Sequence, residues 1–355
     1  GGHILRMCPP VSGRFLEALA VSRFLWRRLA WSVFVAWGVT LLAFVISHLI
    51  PADPAKIAAG LNASPDVIEN VRHQLGLDRP VYEQYITYTT GLLRGDLGRS
   101  ITSTRPVLAD LADYFPATLE LTLWTTLFIA VLGISMGIAA ALYRGTWVDI
   151  GTNVFGSLWV ALPIFWIGIV FQFFLYLKLG WFPIGDRLSS TTPAPYHITG
   201  MYTLDALLTG NMPALGDVLR HLFLPVITLG LHNTAIVARM TRASLLDVLN
   251  QDYIRTARAK GLAHRSVVLV HALKNAAIPV ATVLGGQFRF LLGGALLIES
   301  IFQWPGLGMY ATRAILFVDY PAIMGVTLTA ALVTLVVNLL VDLIYVAIDP
   351  RIRYS

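Results

Sequence analysis

The sequence predicts an all-α integral membrane protein of about six transmembrane helices with a small external element after the first. Three observations carry this. Of 355 residues, 56% are hydrophobic and 13% charged, with mean hydropathy +0.68, whereas a soluble domain carries about 25% charged residues. Six stretches approach the ~20 apolar residues that a helix needs to cross hydrocarbon. Lysine and arginine gather in the connections of one side, the pattern that orients a membrane protein.

Taken in order, residues 1–22 hold Arg6, Arg14 and Glu17 among small and apolar residues, with no continuous apolar region ending in a small-residue cleavage site. They are predicted as a cytoplasmic tail, disordered or in part an expression remnant, and not as a cleaved signal peptide. The first helix falls within 23–50, its apolar run opened by Arg27 and Arg28 and closed by Pro51 and Asp53. Residues 51–116 form an external segment in which six basic residues are offset by eight acidic ones, with turn signals that predict a small folded element. Residues 117–355 supply a five-helix core. Its apolar runs cover 121–143, 150–177, 221–238 (with a kink expected at Pro225), 275–298 (interrupted by Arg289) and 321–341, which runs on past Asp342. A second external segment, 180–216, is rich in Pro, Gly and Thr.

The basic residues lie before the first run, between the fourth and fifth, and after the last. With an even number of spans, this places both termini and the 239–274 connection in the cytoplasm. The net charge of +6 is thereby accounted for without nucleic acid, which would require basic residues clustered on a soluble fold. A single cysteine, Cys8, excludes an internal disulfide and a cysteine-built metal centre.

The 239–274 connection carries the most specific signal. Good helix formers over 244–260, free of proline, predict a helix that Gly261 ends in a left-handed cap. Arg255, Arg258 and Lys260 stand beside the small Ala257 and Ala259. Small side chains admit another protein's surface and arginines supply charged hydrogen bonds, but the same pattern suits a basic amphipathic helix on anionic lipid. Charge and size leave the two readings open.

Ala257, Gly261 and their spacing resemble the Glu-Ala-Ala loop of ATP-binding-cassette importer permeases, although the family's first two positions fall on Arg255 and Thr256. The run from Asp252 and Tyr253 through Arg255, Thr256, Ala257, Arg258, Ala259 and Lys260 to Gly261 is closer to one branch, the dipeptide/oligopeptide/nickel permeases. Further signatures of that branch follow one another along the chain: Leu49-Ile-Pro-Ala-Asp-Pro54, Leu75-Gly-Leu-Asp-Arg-Pro80, Arg94-Gly-Asp-Leu-Gly-Arg-Ser100, Pro116-Ala-Thr-Leu-Glu120, Glu299-Ser-Ile-Phe-Gln-Trp-Pro-Gly-Leu-Gly308 and Asp349-Pro-Arg-Ile-Arg353. The resemblance implies a type I ABC importer permease fold in a bacterial cytoplasmic (inner) membrane, with residues 51–116 on the periplasmic side. It also implies half of a pore for di- or oligopeptides, shared with a second permease subunit. Two ATPase subunits would dock inside, and an extracytoplasmic substrate-binding protein would deliver the substrate. Such a chain is a pore subunit and not an enzyme. It holds no cofactor of its own, ATP and Mg being bound by the partner ATPases, and it carries no Gly-x-x-x-x-Gly-Lys-Ser/Thr loop.

Gln287, Arg289 and Glu299 are the pore or gate candidates. A charge in hydrocarbon costs at least about 2.5 kcal/mol unless paired or hydrated, so Arg289 is expected to face the pore or the second permease, with snorkelling to the headgroups as the alternative. Glu299 either orders the Trp304–Gly308 turn through its amides or meets a peptide's amino group. Gln172, Asn233 and Asn338 either line a polar path or bond across helices. His48, His221 and His232 lack the i, i+4 pairing of a metal-binding helix. An ion-coupled secondary transporter would need acidic or histidine relays inside the spans, where only Asp342 and scattered histidines qualify. Within the family, a nickel or other small-solute permease is the alternative to a peptide permease.

Overall fold

The computed structural model describes residues 31–46, 48, 53–60 and 62–348. The tail predicted over 1–22, both ends of the first predicted span and the residues after 348 lie outside them. The first helix, α1, covers Trp31–Ile46. Three short helices follow: α2 (Pro54–Ala59), α3 (Pro65–Gln74) and α4 (Val81–Leu93). Then come α5 (Val107–Leu142), α6 (Trp147–Ala161) and α7 (Ile164–Phe171), the last continuing in wide π turns over Gln172–Lys178. After α8 (Tyr202–Leu208) and the long α9 (Met212–Leu249) stands the short α10 (Asp252–Ala259). A turn of helix, α11 (His264–Ser266), passes through π turns at Val267–Ala272 into α12 (Leu273–Gly294). The chain ends in α13 (Leu296–Ile301), α14 (Leu307–Leu316) and α15 (Tyr320–Ile348).

Among the described residues, four helical stretches are long and apolar enough to cross a bilayer: α5, α9, His264–Gly293 and Tyr320–Leu340. The pair α6–α7 makes a fifth if its 96° bend belongs to one span, and α1 is apolar but shorter. That bend corrects the single helix expected over 150–177. Pro163 has no N–H to continue the ladder and holds Leu162 in extended backbone (φ −92°, ψ 135°), as the residue before proline prefers.

Three other helices outrun the apolar runs that announced them. The helix expected from Leu121 begins at Val107, so Pro116, the expected end of the external segment, lies within it. The short run expected over 221–238 is the middle of α9, which continues through Pro225 to Leu249 and takes Arg239 and Arg242 into the helix. Polar side chains extend it: Asn211 caps its start by accepting the Ala214 amide at 3.2 Å. The helix expected from Asn275 begins instead at His264, and it stops at Gly294 before the expected Ile298.

α9 is the axis of the bundle, with α5, α6, α7, α8 and α12 laid against it. Apolar side chains gain little by leaving lipid for protein, so close packing through small residues must hold spans together. Gly133 and Gly137 of α5 provide it. A Cβ at Gly133 would lie 3.0 Å from Val237 Cβ, and one at Gly137 would lie 2.5 Å from Thr241 Cβ. The principal core, including the fully buried Trp304, joins α5, α9, α12 and α13. Trp304 Nε1 donates to the Ala117 carbonyl at 2.8 Å, fixing the turn after α13 to α5.

Candidate coupling surface and path-lining residues

The helix expected over 244–260 is two helices. Asn250 ends α9, Gln251 is extended (φ −75°, ψ 151°), and α10 starts afresh at Asp252. The break frees α10 to lie on its own apolar face. Ile254 and Ala257 are buried in a cluster with Leu245, Val267, Ala272 and Ala276. The small size of Ala257, expected to admit a partner, therefore serves packing within this chain. Asp252, Arg255, Thr256, Arg258, Ala259 and Lys260 are exposed, and Gly261 takes φ +76° with nothing within 4 Å of where a Cβ would stand. The outward rim is thus three cations and one small residue around a left-handed turn, with Asp252 held by Arg255 at 3.4 Å. Tyr253 is bound to the bundle: its hydroxyl accepts from Asn275 Nδ2 at 2.7 Å.

Asn275 opens a stripe along α12. Asn275, Pro279, Thr282, Arg289 and Gly293 are exposed, and Gly286, on the same line, has open space where its Cβ would be. Spacings of three and four residues put all six on one face, with the buried Ala276, Val280 and Leu291 about 100–160° round the helix from it. Bulky apolar side chains are missing from this line, and polar ones are costly against lipid tails. Arg289 stands five residues before the end of α12 at Gly294, closer to the helix end than the apolar run implied. It donates Nη1 to Asn338 Oδ1 of α15 at 2.7 Å and has no carboxylate in ion-pair range among the described residues. Gln287 is half-buried about 120° round the helix from the stripe, on the side of the buried Ala276 and Val280.

Glu299 lies on α13, beyond the span, and is fully buried. Thr118 donates to one carboxylate oxygen at 2.8 Å, and the amides of Gly308 and Met309 donate to the other at 2.6 and 3.2 Å. Burial pushes its pKa up to about 7 against the downward pull of these donors. Enclosed by its own chain, Glu299 orders the turn before α14 and does not face an open path, which corrects its place among the pore candidates. Gln172 bonds across elements to the Ile184 and Ile301 carbonyls, both at 3.0 Å, whereas Asn233 bonds within α9 to Leu229. His48 contacts the Phe44 carbonyl and Gln84, His221 the Asp217 carbonyl, and His232 the Trp159 carbonyl.

Sequence reasoning missed five buried carboxylates among the described residues, Asp110, Glu120, Asp149, Asp205 and Asp319, and three of them join distant elements. Glu120 of α5 pairs with Arg187, and Asp149 of α6 pairs with Arg242 of α9. Asp319 accepts from Ser100, from Thr102 and from the Ala322 amide, tying the loop before α5 to the start of α15. Glu120 and Ser100 lay within recognised signatures, but only the fold supplies their partners.

A family model described as "Binding-protein-dependent transport system inner membrane component" matches residues 133–354. Its N-terminal companion matches residues 21–122. The probable D,D-dipeptide transport system permease protein DdpB of Escherichia coli K12 is 45% identical over 92% of this chain and 96% of its own length. The dipeptide transport system permease protein DppB of Alkalihalophilus pseudofirmus is 42% identical over 92% and 98%. The di/tripeptide transport system permease protein DppB of Pseudomonas aeruginosa is 42% identical over 94% and 99%. A solved structure of the MetNI methionine ABC transporter in inward-facing conformations aligns at TM-score 0.47 and 16% identity, covering 66% of this chain and 93% of that one.

Proposed function

This chain belongs to the family of binding-protein-dependent transport system inner membrane components, and from that premise we propose that it carries di- or oligopeptides inward as one half of an ATP-driven pore. Relatives named as dipeptide and di/tripeptide permeases, aligned over nearly their whole length, support the substrate class. Its partners are a second permease subunit, two ATPase subunits that bind ATP and Mg, and an external substrate-binding protein, with lipid around the spans.

The observation that carries the reading is α10: a short helix anchored by Ile254 and Ala257, with Arg255, Arg258 and Lys260 turned outward and Gly261 closing it. A separate helix set off by the break at Gln251 suits insertion into an ATPase cleft better than lying on lipid, because it offers no exposed apolar face to a membrane beyond Tyr253 and Leu262. Its side is the cytoplasm, by the excess of lysine and arginine there. The stripe on α12, with Arg289 held by Asn338, faces the path or the second permease, and Gln287 stands behind it on the same helix. Tyr253 joins α10 to the first residue of that stripe.

Co-expression with the partner subunits tests this. The wild-type chain is expected to co-purify with both ATPases and to show ATP hydrolysis stimulated by the loaded binding protein. Arg258→Glu and Gly261→Trp are expected to abolish the stimulation while leaving the spans inserted. Unchanged stimulation in either variant overturns the docking assignment.

A further inference from the structure

α10 can drive the pore only through the elements it touches, and α9 leads directly into it. One joint carries α9's position onward. Arg242 of α9 donates Nε to Asp149 Oδ1 at 2.7 Å and Nη2 to Oδ2 at 2.8 Å. Asp149 sits in the first turn of α6 and is 6% exposed. Its oxygens also accept from the Gly145 amide at 3.0 Å and from Asn153 Nδ2 at 3.1 Å. The fork therefore grips both α6 and the turn that links it to α5. A two-bond guanidinium–carboxylate contact fixes orientation as well as distance.

Farther along, α6 is held to α9 twice more. A Cβ at Gly156 would lie 3.1 Å from Ala235 Cβ, so the helices run nearly backbone to backbone. At the end of α6, the Trp159 carbonyl loses its intrahelical partner because Pro163 has no N–H. His232 Nδ1 donates to that carbonyl at 3.2 Å. Immediately beyond comes the 96° bend into α7. An element fastened along its length to α9 and broken at its far end has the form of a lever with a pivot.

We infer that the Asp149–Arg242 ion pair is the link by which a displacement of α10 enters the broken span α6–α7, making these two side chains positioning residues of the transport cycle. The inference rests on the docking of α10 on an ATPase. Neither residue lies on the exposed rim of α10 or on the α12 stripe, so the link acts through helices and not by touching nucleotide or peptide.

The test uses the complete transporter in liposomes, with its binding protein loaded with a simple alanine dipeptide, and compares D149N, R242Q, R242K and the D149N/R242Q double variant with wild type. Subunit co-purification, basal ATP hydrolysis, stimulated hydrolysis and uptake per ATP are measured. Co-purification and basal hydrolysis are expected to persist. Stimulation and uptake per ATP are expected to fall roughly tenfold in D149N and R242Q, within the range for residues that couple sites without touching ligand. The double variant should be no worse than the weaker single one, and R242K, which keeps the charge but not the fork, should fall between. Should D149N and R242Q fail to assemble, R242K alone decides by its uptake per ATP. Wild-type uptake per ATP in the variants that assemble overturns the inference, because a mere brace lowers yield and melting temperature without changing that ratio. A wild-type complex that shows no stimulation instead overturns the docking reading beneath it.

Discussion

Arg187 and Glu120 meet at 2.6 Å with their side chains 6% and 1% exposed. The second Glu120 oxygen accepts the Thr203 amide and hydroxyl at 2.6 and 2.7 Å, and Arg187 donates to the Gly200 carbonyl at 2.8 Å. The guanidinium also lies 3.6 Å from the centre of the Tyr202 ring. Together they clasp the connection between α7 and α8 onto α5. Removing one member strands a buried charge, which costs about 3–5 kcal/mol. Glu120→Gln and Arg187→Met are each expected to lower the thermal midpoint in detergent clearly, and Arg187→Lys to recover only part, because an ammonium can replace Nη2 at both acceptors but has no planar guanidinium to stack on Tyr202.

Glu299 predicts a pH dependence. Burial raises its pKa from 4.5 to about 7, so the folded state holds this proton more firmly than the unfolded chain does. The stability it contributes is complete below pH 4.5 and is lost as pH rises through 7. Melting curves of the wild type are expected to fall between pH 5 and 8 by more than those of Glu299→Gln. Equal falls in both proteins would remove Glu299 as the source.

Two glycines in spans have opposite surroundings. Gly137→Ala places a methyl 2.5 Å from Thr241 Cβ and must push α5 from α9, at about 1–3 kcal/mol. Gly286→Ala meets nothing within 4 Å and is expected to leave stability unchanged or raise it by up to about 1 kcal/mol through helix propensity. Peptide uptake should separate them differently, since Gly286→Ala narrows the proposed path in a protein that is otherwise intact. Melting and uptake measured on the same preparations check both.

Arg289→Leu is expected to reduce uptake by at least about tenfold if its guanidinium faces the path, the loss of a charged hydrogen bond being about 1.5–3 kcal/mol. Asn338→Leu, which removes the acceptor that holds it at 2.7 Å, should give a smaller loss. Full uptake by Arg289→Leu would assign the arginine to the headgroups.

Hydrophobic runs located the spans, but not their ends. Apolarity marks the part of a helix inside hydrocarbon, whereas α5 starts earlier, at Val107, and α9 runs later, to Leu249, through stretches that mix charged residues with side chains packed against their own chain. Pro163 was visible in the sequence, yet so was Pro225, and only the first breaks its helix. Pro163 follows an extended Leu162, while Pro225 is enclosed by the packing around α9. The segment around Gly261 was legible because its residue types and spacing are local. The pairs Glu120–Arg187 and Asp149–Arg242 were not, because they join residues 67 and 93 positions apart, and nothing near either carboxylate names its arginine.

The spacing of the α12 stripe has a geometric consequence. Positions repeating every seven residues drift by about 20° per repeat around a helix of 3.6 residues per turn. From the pair Asn275 and Pro279 to the pair Arg289 and Gly293 the centre of the line therefore turns through roughly 40°. Whatever lies along it must wind with it. A neighbouring helix would have to cross α12 at the shallow left-handed angle of a coiled coil, and a column of water or peptide would follow a gentle screw. Cargo on that route would turn by no more than that angle as it passed.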